Sequence, residues 1–334
     1  MAGRFAPRPT RTTARGGHVV VPAGVPRQVA PGRVRTYVPK EPLDLGLVLG
    51  PLRRGPADPT FRALPDGSVW RTARTPGGPG TLRVSARGGE VRGEAWGPGA
   101  QWLLEQFPLL LGDADDPSAF VPRHRVVAMA RHRRPGLRLT RTGLVMESLI
   151  PSILEQKVTT DEAYRAWRLL VRRFGEPAPG PSPVPGGLFV LPAARTWALI
   201  PSWEWHRAGV DNKRASTILR AVRVAARLEE GVSMAAGEAR ARLEVVPGVG
   251  PWTSAETVQR SHGAADEVTV GDLHLPGIVG FALAGDRYAD DSVMLELLEP
   301  YAGQRHRAAR FILLSGRVPD RRAPKMPRWD IGTL

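Results

Sequence analysis

The feature that most constrains this chain is a short glycine turn between two helical stretches, Val246-Pro247-Gly248-Val249-Gly250-Pro251-Trp252-Thr253. Glycine tolerates positive φ and carries no side chain, so a Gly-x-Gly turn lets two helices reverse tightly and leaves one backbone face open. The amide N–H groups that open the next helix can then come close to a phosphate. Val249, between the glycines, is the residue expected to plug the junction of the two helices. Alone, such a turn serves equally well as a plain helix–helix connection. Here it is followed, 22 residues after Gly250, by Val270-Gly271-Asp272-Leu273-His274-Leu275. This places an acidic residue where an apolar run ends and a new helix opens. Asp272 there reads either as an N-cap or as a functional carboxylate.

Around this segment the chain changes texture. Residues 1–40 carry Arg4, Arg8, Arg11, Arg15, Arg27, Arg33, Arg35 and Lys40 with no acid, interrupted by Pro and Gly, and read as a disordered basic arm. Residues 41–135 read as a small α+β domain. Ser68–Thr72 and Thr81–Ser85 alternate in strand fashion between Gly/Pro turns, and Gly97-Pro98-Gly99 leads into a short helix over 100–107. Residues 136–317 are helical in pattern. Trp167, Leu170, Val171 and Phe174 fall at helical spacing, as do Ile218, Val222 and Ala225, and Asp211 precedes a helix start. The stretch 176–187 reads as a loop, Trp203 and Trp205 as core, and 318–334 as a basic tail. The fold class expected is α+β, a small antiparallel-sheet domain followed by an all-helical domain.

Composition narrows the chemistry. With no cysteine, disulfides, thiolate metal sites, cysteine nucleophiles and cysteine-held iron–sulfur clusters are excluded. No apolar run approaches the roughly 20 residues that span a bilayer, and no secretory signal is read at the N-terminus. A cytoplasmic, nucleoid-associated address is expected. The net charge of +15 suits a polyanionic partner, although the arginine bias also fits a GC-rich coding sequence.

The turn and the delayed aspartate together resemble the helix-hairpin-helix DNA glycosylases, most nearly the DNA-3-methyladenine glycosylase II branch. In that family a Leu-Pro-Gly-x-Gly-x-Trp-Thr hairpin is followed at this spacing by the catalytic aspartate. Ile153-Leu154-Glu155-Gln156-Lys157-Val158-Thr159 is similar to its Ile-Leu-x-Gln-x-Val-Ser segment. The resemblance covers about residues 140–316. More weakly, 42–116 looks like the branch's small sheet domain.

The resemblance implies hydrolysis of the N-glycosidic bond of alkylated purines (3-methyladenine, 7-methylguanine) in double-stranded DNA, as a step of base excision repair. Asp272 would stabilise the cationic sugar and orient or deprotonate water. The base would be flipped into a pocket holding Trp252, Glu256 and His274. Gln156, Lys157, Pro247, Gly248, Val249, Gly250 and Thr253 would meet the DNA, with Lys157 at the position of the inserted wedge or holding a phosphate, while Gln156 reads alternatively as a cap of the helix beginning near Thr159.

Trp252 stands where relatives with lyase activity carry a Schiff-base lysine, so no lyase activity is expected. Glu256 reads as a partner for a cationic base or as a surface glutamate. His274 reads as a site residue or a partly buried structural histidine. No cofactor and no side-chain metal site are expected, beyond a structural Na+ or K+ at the hairpin carbonyls, and the protein is expected to act as a monomer. The alternatives are a glycosylase for deaminated or bulky purine lesions, and a DNA-binding protein that keeps the hairpin without catalysis.

Overall fold

The computed structural model describes residues 32–181 and 187–320. Five strands, β1 (Arg33–Tyr37), β2 (Phe61–Ala63), β3 (Val69–Thr75), β4 (Gly78–Arg87) and β5 (Glu90–Trp96), form one antiparallel sheet in the order β1-β5-β4-β3-β2. Register pairs Leu82 with Ala95 and Val84 with Gly93. Gly93 is required by packing. A Cβ there would lie 2.9 Å from the ring of Phe107, so the sheet could not receive that ring.

Helices α1 (Leu45–Leu49), α2 (Ala100–Glu105) and α3 (Phe107–Leu110) cover this face, and Leu82, Val84, Leu103, Phe107 and Leu111 make its core. The reading of residues 1–40 as an arm needs correction where they are described. Arg33–Tyr37 pair with Tyr37↔Val91 through Arg33↔Ala95 as an edge strand. Arginines at alternate positions do not prevent this, because edge-strand side chains can stay in water. Residues 1–31 and 321–334 lie outside the described residues.

The rest of the chain is helical: α4 (Arg125–Arg133), α5 (Val145–Leu154), α6 (Thr160–Phe174), α7 (Ala194–Ala198), α8 (Ser202–Arg207), α9 (Asn212–Arg223), α10 (Ala225–Glu229), α11 (Ala236–Glu244), α12 (Pro251–Ser261), α13 (Leu275–Ala284), α14 (Asp291–Leu298) and α15 (Arg305–Leu314). One core gathers around α5, with Leu149, Ile153, Trp167, Ile218, Leu243, Val249 and Val258. Another joins α4 to α13–α15 through Val127, Leu137, Val279, Met294 and Phe311. The boundary at 135 is therefore displaced: α4 belongs with the C-terminal helices and not with the sheet.

The stretch 176–187 is not simply a loop, because Glu176–Pro177 pairs with Phe189–Val190. Trp205 is buried and stacks on Trp197 at 5.8 Å, whereas Trp203 is 64% exposed and is not core.

Sheet and helices are joined by ion pairs rather than by apolar contact alone. Arg71 meets Glu147, Arg54 meets Glu155 at 3.1 Å, and Trp167 Nε1 donates to Asp58 Oδ1 at 3.1 Å. Burial, first among its causes, raises the Glu147 carboxyl above its ordinary range, while Arg71 opposes the rise. At the start of α5, Glu229 accepts Val145 N and Met146 N, each at 2.8 Å, so a partly buried carboxylate caps the central helix.

Candidate active site

The site is built on the hairpin between α11 and α12. Gly248 has φ +98, and a Cβ on it would stand 2.1 Å from Thr217 Oγ1 of α9, so both conformation and space demand glycine. Val249 is buried in the helical core, as its place between the glycines predicts, and Val249 N donates to Val246 O at 2.9 Å. Gly250 is the extended N-cap and Pro251 the first residue of α12, where a missing N–H costs nothing. Pro247 and Gly248 are exposed. The positive end of α12 therefore opens beside a bare backbone turn, which is an arrangement suited to an anion.

Two side chains buttress the turn. Gln156 Nε2 donates to Gly248 O at 3.0 Å and to Thr253 Oγ1 at 2.8 Å. Gln156 thus does not cap the helix after it, because α6 has its own capping box of Thr159 and Glu162. Thr253 is buried beneath the turn and presents no free surface to a ligand. Lys157, next to Gln156, is exposed and has φ +53, the sole non-glycine with positive φ among the described residues. Such conformations gather at functional sites because surrounding structure must hold them.

Sequence reading missed Arg220, whose Nη1 donates to Pro247 O at 3.2 Å. The signal was the run Lys213, Thr217, Arg220, one face of α9 by helical spacing. Two of the hairpin carbonyls, Pro247 O and Gly248 O, accept from Arg220 and Gln156. No step is derived through a monovalent cation at the hairpin. Among the described residues no cluster of three or more His, Asp or Glu side chains is arranged to hold a metal.

Asp272 lies where the second half of the motif predicts it, and it is both cap and candidate catalyst. Its Oδ1 accepts His274 N and Leu275 N, each at 2.8 Å, at the start of α13, and its Oδ2 accepts Trp252 Nε1 at 2.9 Å. Three N–H donors fix the carboxylate between the N-termini of α12 and α13. The turn that delivers it contains Gly271 at φ +83, whose N–H donates to Asp291 Oδ2 at 2.9 Å. His274 contributes its backbone, but its side chain is exposed, so neither a pocket wall nor a partly buried structural histidine describes it.

Glu256 is not a surface glutamate. Its side chain is 15% exposed and is paired with Arg260 at 2.7 Å, one turn on. Arg260 also donates to Pro51 O at 3.0 Å, which ties α12 to the sheet domain. Opposite, on α15, stand His306 and Arg310, which no motif singled out, and Arg310 Nη2 donates to Leu47 O at 3.1 Å. Burial, followed by the nearby charges of Arg310, Arg260 and Arg307, pushes the His306 imidazole well below its ordinary value. Burial, with Arg260 beside it, lowers the Arg310 guanidinium to about 10.

No protein-family profile matches the chain, and no curated relative matches it by sequence. Solved structures do match. MBOgg1 in complex with a low-affinity DNA ligand superposes with TM-score 0.68 at 15% identity, over 86% of this chain and 98% of that one. The 3-methyladenine DNA glycosylase of Archaeoglobus fulgidus gives 0.67 at 16%, over 84% and 96%. The 8-oxoguanine glycosylase/lyase of Clostridium acetobutylicum, with double-stranded DNA containing cytosine opposite 8-oxoguanine, gives 0.65 at 12%, over 83% and 92%. The sheet domain, the helical domain and the hairpin between α11 and α12 together make this the helix-hairpin-helix DNA glycosylase fold.

Proposed function

We propose that the chain is a monofunctional DNA glycosylase that hydrolyses the N-glycosidic bond of a damaged purine in double-stranded DNA, within base excision repair. The observation that carries this reading is Asp272, held by three N–H donors beside the hairpin and the aromatic Trp252. The exposed turn would take a backbone phosphate on the amides of Gly248 and Gly250, since Pro247 has no N–H, with Arg220 and Lys213 adding charge. Lys157, exposed and held in a left-handed conformation, would enter the space left by the extruded nucleotide or hold a phosphate beside it.

With the base flipped, the Asp272 carboxylate would face the sugar, stabilise the positive charge that grows as the bond breaks, and orient the water that completes hydrolysis. Trp252 has no amine, so no Schiff base can form there, and base release should leave the strand uncut.

Alkylated purines are the lesion class that the sequence resemblance implies. The Trp252 ring face supports it, because a cationic base stacks well on indole. Deaminated or other neutral purines form the second reading, favoured by the partly exposed Arg260 of α12, two turns on from Trp252, and by Arg310, whose charge acts on it. Full-length protein and Asp272→Asn are to be compared on duplexes carrying single lesions, with released base measured. Release by the wild type and a loss of about 100-fold or more in the variant, the scale of a removed charge-stabilising group, support the mechanism. Equal release by both refutes the role of Asp272. Borohydride trapping of a protein–DNA adduct would refute the monofunctional reading.

A further inference from the structure

Helix α12 is closed on every side but one. From Trp252 to Ser261, only Trp252, Glu256 and Arg260 keep partial exposure, at intervals of four residues. On α15, from His306 to Ile312, only His306 and Arg310 do. Both stripes reach one short backbone segment, residues 47–51, and the charges of Arg260, Glu256 and Arg310 act on one another there. The back wall is the backbone of 47–51, which takes Arg310 at Leu47 O and Arg260 at Pro51 O. At the mouth, the indole N–H of Trp252 rests on Asp272. These partly exposed polar side chains thus run from the backbone of 47–51 along α12 to Trp252, which touches the candidate catalytic carboxylate.

Apart from Asp272 at the mouth, which would face the sugar and not the base, the charges along these two helices do not balance. Glu256 and Arg260 neutralise each other at 2.7 Å. Arg310 forms no ion pair among the described residues, and its one hydrogen bond there goes to a neutral carbonyl, Leu47 O. A partly buried guanidinium without a carboxylate is costly unless something supplies acceptors to its remaining donors. His306 makes no hydrogen bond among the described residues, and as a neutral ring it offers one donor and one acceptor.

Building on the glycosylase reading, we infer that Arg310, with His306 and Glu256, is the base-reading set of this site and selects a neutral purine that carries a carbonyl oxygen. The free donors of Arg310 would take the carbonyl, and Glu256 would accept a ring N–H. A cationic base would instead meet like charge. Unit charges about 6 Å apart at an effective dielectric of about 20 repel by an amount equal to roughly a hundred-fold in binding or rate. Glu256 offsets part of this, and at least about ten-fold is expected to remain.

The test uses the full chain in single-turnover release from duplexes carrying 8-oxoguanine, hypoxanthine, 7-methylguanine or 3-methyladenine. Arg310→Met, of similar length and without charge, is run beside the wild type. The expected result is release of a neutral lesion at least ten-fold faster than either methylated base. In Arg310→Met that release falls at least ten-fold, while affinity for a duplex with a stable abasic analogue is unchanged.

Faster release of the methylated purines by the wild type, through Asp272, would overturn this inference and leave the glycosylase reading standing. Release of no lesion would overturn both. Equal weakening on the abasic-analogue duplex would show Arg310 to be a phosphate contact or a structural residue, and would also overturn the assignment. Thermal unfolding of Arg310→Met, together with its abasic-duplex affinity, separates misfolding from loss of base reading.

Discussion

Gly248→Ala tests the hairpin most directly, because two independent costs can be worked out for it. The first is conformational. At φ +98 the backbone lies beyond the left-handed basin near +57, and a residue with a Cβ costs about 1–2 kcal/mol even inside that basin. The second is steric. The new methyl would meet Thr217 Oγ1 at 2.1 Å and Cβ at 3.1 Å. Thr217 is not free to turn away, since its hydroxyl donates to Lys213 O at 2.8 Å, a bond contributing about 0.5–1.5 kcal/mol.

The sum is a destabilisation of about 1.5–3.5 kcal/mol, read as a lowered urea midpoint at unchanged slope. Affinity for duplex DNA, measured at one fixed salt concentration, should fall as well. Thr217→Ala removes the closest contacts but not the conformational cost. The double variant should therefore regain stability, with a coupling of at least about 0.5–1 kcal/mol. Stability of Gly248→Ala within about 0.5 kcal/mol of wild type, or strict additivity with Thr217→Ala, would refute this account of the turn.

Three further predictions follow from particular residues. Lys157→Gly relieves a left-handed side-chain residue and should raise folding stability by up to about 1 kcal/mol, while weakening duplex binding and flattening its salt dependence; a loss of stability in urea would show that Lys157 is held by contacts of its own. Asp291→Ala removes the acceptor for Gly271 N and should slow base release about ten-fold by loosening the Asp272 turn, whereas Asp291→Asn keeps an acceptor and should recover most of the rate; full activity in the alanine variant would show that the turn needs no brace. His306 is depressed below 6.5 in the folded protein, so the unfolded chain takes up its proton first, and the stability it contributes is complete above pH 6.5 and lost as pH falls below it. His306→Gln should therefore lessen the fall in urea midpoint between pH 8 and pH 5, and an identical fall in both proteins would contradict it.

Much of the fold and half of the site were legible because they rest on local rules. Alternation between Gly/Pro turns marked the strands over 69–75 and 78–87, and helical spacing marked Trp167 to Phe174 in α6. The glycine turn and Asp272 were visible because backbone geometry at Gly248 and capping at α13 are written in residue types at fixed offsets. The arm was over-extended to residue 40 because an edge strand gains its hydrogen bonds from β5, which is far away in sequence. For the same reason α4 was assigned to the wrong half, since only packing against α13–α15 reveals its partners.

The residue order by itself determined the hairpin, the delayed aspartate and the change from strand to helix, since each depends on neighbours a few positions apart. Tertiary structure alone decided what those parts face. Gln156 became a brace rather than a cap because Gly248 O and Thr253 Oγ1 lie within reach of its amide. Glu256 became a buried partner of Arg260 rather than a surface acid because α12 is enclosed on that side. His306 and Arg310 had no sequence signal because α15 lies about fifty residues beyond α12 in the chain, while charge acts across space without regard to sequence distance.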